Sequence, residues 1–168
     1  NEGKMMLENP WITLSQKVVY QSLFLTLREC DVVRPDGKPG SYNIITSGRS
    51  NVIIPLTDNG LFYIIGQWRY PTGRYSWEFP GGRTEGEESL IETGKRELLE
   101  EVSLVAKSWR NIGYLDLLSG DHDDIFDVLV AEGVEHKEGN ETNLDCIDQT
   151  RIVALEELLG MIGNDMKS

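Results

Sequence analysis

Apolar and polar positions alternate from Gln16 to Arg28 (QKVVYQSLFLTLR), the two-residue period of an extended chain, and the spacing predicts a strand over 16–28. Pro35-Asp36-Gly37 reads as a turn leading into a second extended stretch at Tyr42–Ile45. Val52–Leu56 and Leu61–Ile65 flank Thr57-Asp58-Asn59-Gly60, turn residues between two apolar runs and therefore a hairpin. A further strand ends at Ser76-Trp77-Glu78-Phe79, where Pro80-Gly81-Gly82 stops it. The period then changes to that of a helix over about 87–102, with Leu90, Gly94, Leu98 and Val102, joined by Ile91 and Leu99, as its buried stripe. Strands follow at Ile112–Leu117 and Ile125–Ala131. A polar stretch from Glu132 to Gln149 reads as loop, and a strand at Arg151–Ala154 and a helix at Leu155–Ile162 close the pattern. The alternation of strands with isolated helices predicts an α/β fold, without internal repeats or low-complexity tracts.

The face of the central helix opposite its apolar stripe carries the chemistry. Glu97, Glu100 and Glu101 stand three and four residues apart, so a helix places their carboxylates within one sector of its surface. Three like charges repel unless a cation collects them. Mg²⁺ prefers oxygen ligands and commonly sits between carboxylates and substrate phosphates, so a phosphate ester is the implied substrate. A solvated acidic face is the simpler account of such a helix, with Glu92 and Arg96 as a supporting i, i+4 pair. The segment ahead of the helix argues against that account. A strand that ends in Pro80-Gly81-Gly82 turns sharply and lets backbone atoms approach a ligand closely.

Length and composition set bounds on these expectations. A chain of 168 residues, 39% hydrophobic and 26% charged, suits one domain with a full core. The net charge of −12 argues against a general nucleic-acid binder and against a binder of anionic membranes, which need basic surfaces. Cys30 and Cys146 are too few and too far apart for a disulfide framework or zinc site, and nothing near them reads as an activating base; a reduced, cytoplasmic protein with packing cysteines is expected. His122 and His136 lack ligand spacing. No apolar run approaches the roughly 20 residues of a membrane span, and no basic segment followed by an apolar one opens the chain. A chain opening on Asn1 rather than methionine is expected to be trimmed or tagged.

With U standing for a bulky aliphatic residue, the segment from Gly82 to Leu104 resembles the Nudix hydrolase signature G-x5-E-x7-R-E-U-x-E-E-x-G-U. Gly82, Glu88, Arg96, Glu97, Leu98, Glu100, Glu101 and Leu104 fall on its fixed positions, and Ser103 replaces the second glycine. That glycine ends the helix in the family; a serine in the same left-handed cap costs about 1 kcal/mol and removes no ligand. Beyond the signature, Asn9-Pro10-Trp11, Lys17–Cys30, Arg34-Pro35-Asp36-Gly37 and Gly66–Pro71 leading to Trp77–Pro80 resemble the ADP-ribose and nucleoside-diphosphate-sugar branch.

The resemblance implies a Nudix-type α/β/α sandwich with a central mixed sheet and an added N-terminal antiparallel sheet element. It places N-terminal strands over residues 1–46, making a homodimer contact, and the hydrolase domain over 47–168. It implies Glu97, Glu101, Glu100 and the Gly81 carbonyl as metal ligands for Mg²⁺, with Mn²⁺ as a substitute, and Arg96 as the group that orients them. Glu88 is implied as a metal-linked or helix-supporting carboxylate. Arg69, Arg74 and Glu78 are assigned to the nucleotide diphosphate and Trp11 to the base, core packing being the alternative for Trp11, Trp68 and Trp77. The general base lies between Glu100 and the late-loop acids Glu141 and Asp145. The expected activity is Mg²⁺-dependent hydrolysis of a small-molecule nucleotide sugar to a nucleoside monophosphate and a sugar phosphate. ADP-ribose hydrolases of the family often carry a proline about fifteen residues past the signature, which Leu118–Asp124 lacks, so GDP-mannose and other nucleotide sugars stand beside ADP-ribose. A non-catalytic nucleotide-binding module, or a hydrolase of nucleoside triphosphates or dinucleoside polyphosphates, is the other reading. The retained carboxylates and Arg96 favour catalysis.

Overall fold

The strand expected over 16–28 is two strands. A computed structural model, which describes residues 8–138 and 147–162, forms β1 (Ile12–Gln21) and β2 (Thr26–Val33) with a turn between them. The Ser22 amide donates to the Leu25 carbonyl at 2.9 Å, and the Ser22 hydroxyl accepts from the amides of Phe24 and Leu25 at 3.1 and 3.2 Å. A serine side chain that caps local amides reverses the chain inside an otherwise alternating run. β2 then pairs with β3 (Pro39–Thr46) across the Pro35-Asp36-Gly37 turn, where Gly37 takes φ 78°. These strands form an antiparallel sheet in the order β1-β2-β3 and, with the segment Asp116–Asp124, one compact unit.

The other unit takes Arg49–Leu115 and the chain from Ile125 onward. β4 (Ser50–Leu56) and β5 (Phe62–Arg69) flank the expected turn, with Gly60 at φ 73°. β6 (Arg74–Glu78) pairs with β5 and leads to α1 (Leu90–Val102). β7 (Leu104–Val105), β8 (Ser108–Leu115), β9 (Phe126–Glu132), β10 (Glu135–His136), β11 (Gln149–Val153) and α2 (Leu155–Met161) complete the order. The main sheet runs β11-β5-β4-β9-β8 with β6 beside β5; β4 and β9 are parallel and the other pairs antiparallel, giving a mixed α/β fold. The polar stretch expected as loop from Glu132 includes β10, paired with β7. Two-residue strands leave too short a period to read from sequence.

Helix α1 buries Thr93, Gly94, Leu98 and Val102, while Leu90, Ile91 and Leu99 are only partly covered. Leu98 and Val102 join Ile53, Tyr63, Ile65, Leu104 and Ala131 in the core. Gly94 lets the helix lie close to the sheet, since a Cβ there would come within 2.8 Å of Leu129 and 2.9 Å of Trp109. Glu92 does not pair with Arg96. Its carboxylate turns back to the Ser89 amide at 2.8 Å while the Ser89 hydroxyl accepts from the Glu92 amide, a capping box. At the other end Ser103 takes φ 52°, the left-handed cap, and is the one non-glycine residue with positive φ among those described. Cys30 is buried as a free thiol, and Cys146 lies outside the described residues. No helix among the described residues is long and apolar enough to cross a membrane.

Candidate active site

The turn after β6 runs antiparallel beside β4. The amides of Ile53 and Asn51 donate to the carbonyls of Pro80 and Gly82 at 2.8 Å each, and the Thr84 amide donates to Arg49 at 3.0 Å. Two glycines allow this approach. A Cβ on Gly81 would lie 2.3 Å from the Asn51 carbonyl oxygen, and one on Gly82 would lie 2.1 Å from Glu97 Oε1. Glu97 and Glu101, four residues apart on α1, are thereby brought to the turn, and Glu101 Oε2 accepts from the Gly81 amide at 3.0 Å.

Arg96 organises the acids. Its Nε and Nη2 donate to the two Glu88 oxygens at 3.0 and 3.2 Å, Nη1 donates to Glu97 at 2.9 Å and Glu100 at 3.2 Å, and Nη2 donates to the Arg83 carbonyl at 2.9 Å. Glu88 also accepts from the Thr93 hydroxyl and the Glu85 amide, so it ties the loop to the helix. The Arg96 hydrogen bonds hold the Glu88 carboxyl below its ordinary range. Burial does the reverse for the other two: the Glu97 carboxyl is raised, and Glu101 is pushed up to about 7 against the Gly81 amide, with the Glu97 charge adding to the rise. Two desolvated carboxylates at one turn could hold a hard cation. Among the described residues no three Asp, Glu, His or Cys side chains close on one point. That donor set suits Mg²⁺-like ions, which take one or two protein carboxylates and complete their shell with water and substrate phosphate. Glu100 keeps an exposed carboxylate at the rim.

Arg69 and Glu78 pair on neighbouring strands, with Nε 3.1 Å from both carboxylate oxygens. Burial opposes the charge on Glu78, but the hydrogen bonds from Arg69 and Ser76 hold its carboxyl below the usual range. Glu78 pairs with core residue Ile65, and Arg74 with Arg69, so these side chains share the sheet face that packs on α1. Trp68 and Trp77 alternate to the opposite face, where Trp77 meets Tyr75 edge-on and carries the Arg151 guanidinium 5.1 Å from its ring. Trp11 belongs to the other compact unit, edge-on to Tyr42 at 5.7 Å. Glu141 and Asp145 lie outside the described residues. Sequence reasoning did not single out Asp127, buried in a two-pronged ion pair with Arg49, or the buried Asn51. The polar residues at the ends of two apolar runs were the available signal.

The family model for the NUDIX domain matches residues 48–167, and the model for the nucleoside diphosphate sugar hydrolase N-terminal domain matches residues 11–45. The chain belongs to the Nudix family. It is a Nudix hydrolase, and its similarity extends to proteins named ADP-ribose pyrophosphatase. One, from Mycobacterium tuberculosis, is 29% identical across 86% of this chain and 70% of its own length; another, from Bacillus subtilis, is 28% identical across 89% and 82%. A crystal structure of an ADP compounds hydrolase superposes with a TM-score of 0.76 at 18% identity, covering 93% of this chain and 84% of that one, and shows the Nudix fold. Nudix hydrolases generally use divalent metals.

The two glycines predict different defects. The nearest atoms that Gly82→Ala meets are those of the movable Glu97 carboxylate, so the Nudix fold is expected to survive with its melting temperature within a few degrees while turnover falls at least about tenfold. Gly81→Ala meets backbone and is expected to lower stability itself. Thermal denaturation alongside a hydrolysis assay checks both; equal loss of stability in the two variants contradicts the assignment.

Proposed function

We propose that this Nudix hydrolase cleaves the diphosphate linkage of a nucleoside diphosphate sugar with Mg²⁺, releasing a nucleoside monophosphate and a sugar phosphate. The observation that carries the reading is the pair Glu97 and Glu101 drawn to the Gly81–Gly82 turn, Glu97 held by Arg96 and Glu101 by the Gly81 amide. The match of residues 11–45 to the N-terminal domain of nucleoside diphosphate sugar hydrolases, and the names of the relatives, support the substrate class.

Glu97 and Glu101, with the Gly81 carbonyl and Glu100 at the rim, are the residues that would hold Mg²⁺, or Mn²⁺ in its place. The chemistry a divalent ion would supply there is positive charge for the phosphates and a lowered pKa for the attacking water. Arg96 keeps Glu97 and Glu100 in place and offsets part of their repulsion. Arg69 and Arg74 bring positive charge to the diphosphate, Arg69 oriented by Glu78, and the base is assigned to Trp11 from the family resemblance alone. Glu100, Glu141 or Asp145 takes the proton from the water. Cleavage at the diphosphate leaves the glycosidic bond intact. Mass analysis of products from ADP-ribose and GDP-mannose is expected to show AMP with ribose 5-phosphate, or GMP with mannose 1-phosphate. Release of free sugar or inorganic phosphate would refute the reaction class.

A reducing cytoplasm suits the free thiol of Cys30. The N-terminal sheet fits a homodimer: every residue of β1 is exposed, and Leu23 and Phe24 at its turn are 88% and 68% exposed, more apolar surface than an edge strand ordinarily leaves open. Light scattering at micromolar concentration is expected to give twice the chain mass of 19.0 kDa; a monomer excludes the dimer.

A further inference from the structure

Asn51 sits in β4 between Ser50 and Val52, two positions before Ile53, whose side chain lies in the core with Leu98 and Val102 of α1. Residues two apart on a strand share a face, so Asn51 also points beneath the helix. It is 2% exposed, yet neither its side-chain Nδ2 nor its Oδ1 has a hydrogen-bond partner among the described residues, and the same is true of the buried Thr84 hydroxyl. The pairing of β4 with the 80–84 segment places these groups together. Gly82 stands opposite Asn51 and Thr84 opposite Arg49, so Asn51 and Thr84 are diagonal neighbours on the face toward α1. Glu97 overlies Gly82 on that face.

An amide in this place loses its hydrogen bonds to bulk water on folding, a loss that an apolar residue such as leucine would not incur. An internal water, which typically makes about three hydrogen bonds, removes the penalty where the site is polar and has room. A pocket of about 490 Å³, lined by Arg49, Thr84, Glu88, Ser89 and Asn111 among others, opens on the Thr84 side of this pair, and Asn51 is not among the residues that line it.

We propose that Asn51 and Thr84 hold an internal water between β4 and α1, and that through it Asn51 is a positioning residue for Glu97 and the Gly81–Gly82 turn. The amide nitrogen donates to the water, the water donates to the Glu97 carboxylate, and the Thr84 hydroxyl completes its shell. The inference rests on the reading of Glu97 and Glu101 as cation ligands.

Mn²⁺ binding to the full chain, followed by titration calorimetry or electron paramagnetic resonance, tests it in the wild type, Asn51→Leu, Asn51→Ser and Glu101→Gln. Asn51→Leu is expected to melt no lower than wild type without added cation, to bind Mn²⁺ roughly ten- to a hundredfold more weakly, and to lose kcat with little change in KM. Asn51→Ser, polar and small enough to leave room for water, is expected to recover most of the affinity. Wild-type affinity in Asn51→Leu, with weakened binding in Glu101→Gln, overturns the role of Asn51 and leaves the cation site standing. Equal affinity in wild type and Glu101→Gln overturns both. Should Asn51→Leu fail to fold, a high-resolution crystal structure of the wild type decides: an ordered water on the Asn51 amide supports the proposal and a dry amide overturns it.

Discussion

Glu101→Gln is expected to lower hydrolysis by roughly two to three orders of magnitude while the protein folds normally. The substitution keeps the shape of the side chain and its contact with the Gly81 amide but removes the charge a cation needs. Its effect on stability has the opposite sign. Burial first, and then the Glu97 charge, raise the Glu101 carboxyl from an ordinary 4.5 to about 7, partly offset by the Gly81 amide. A carboxyl whose folded pKa is raised weakens the fold as pH climbs from about 4.5 through about 7, because only the folded protein resists ionisation. Without added cation, the variant is therefore expected to gain on the order of 2 kcal/mol at pH 8 and almost nothing at pH 4. Added Mg²⁺ should raise the melting temperature of the wild type far more than that of the variant. Melting curves at both pH values, with and without Mg²⁺, check the linkage. Near wild-type turnover in the variant would remove Glu101 from the ligand set.

Arg96→Met is expected to be the most destabilising change at the site, by about 3 kcal/mol, or roughly 6–12 °C in melting temperature. Arg96 is mostly covered, and its guanidinium bonds Glu88, Glu97, Glu100 and the Arg83 carbonyl, so its loss leaves neighbouring carboxylates without their counter-charge. Methionine fills the stem of the side chain without replacing a single donor. Arg96→Lys keeps the charge but not the planar fork, and is expected to recover less than half of the loss. Divalent cation should partly restore the methionine variant, since it supplies positive charge to Glu97. A melting temperature within a degree or two of wild type would show that the other partners hold the acids unaided.

The sequence by itself determined the parts of this protein that follow a short period or a set spacing. The hairpin around Asn59-Gly60 and the helix carrying Glu97 and Glu101 depend on neighbours a few residues away, so local chemistry specifies them, whereas the left-handed cap at Ser103 was legible only through the family signature. The capping box of Ser89 and Glu92 was not read from the sequence, where Glu92 stands as a partner for Arg96 in a helix placed from about 87, because the box is recognised only once the helix start at Leu90 is known. Only the tertiary structure decided which acids share the turn. Glu97 and Glu101 meet Gly81 and Gly82 because β4 holds the 80–84 segment beneath α1, a pairing between residues some thirty apart that no local pattern encodes. The alternation of the β5–β6 hairpin sends Arg69 and Glu78 to the face of α1 and Trp68 and Trp77 away from it, while the long-range pairing of β4 seals Asn51 under the helix. Periodicity specifies that a residue faces inward; what it meets there depends on which strand lies alongside.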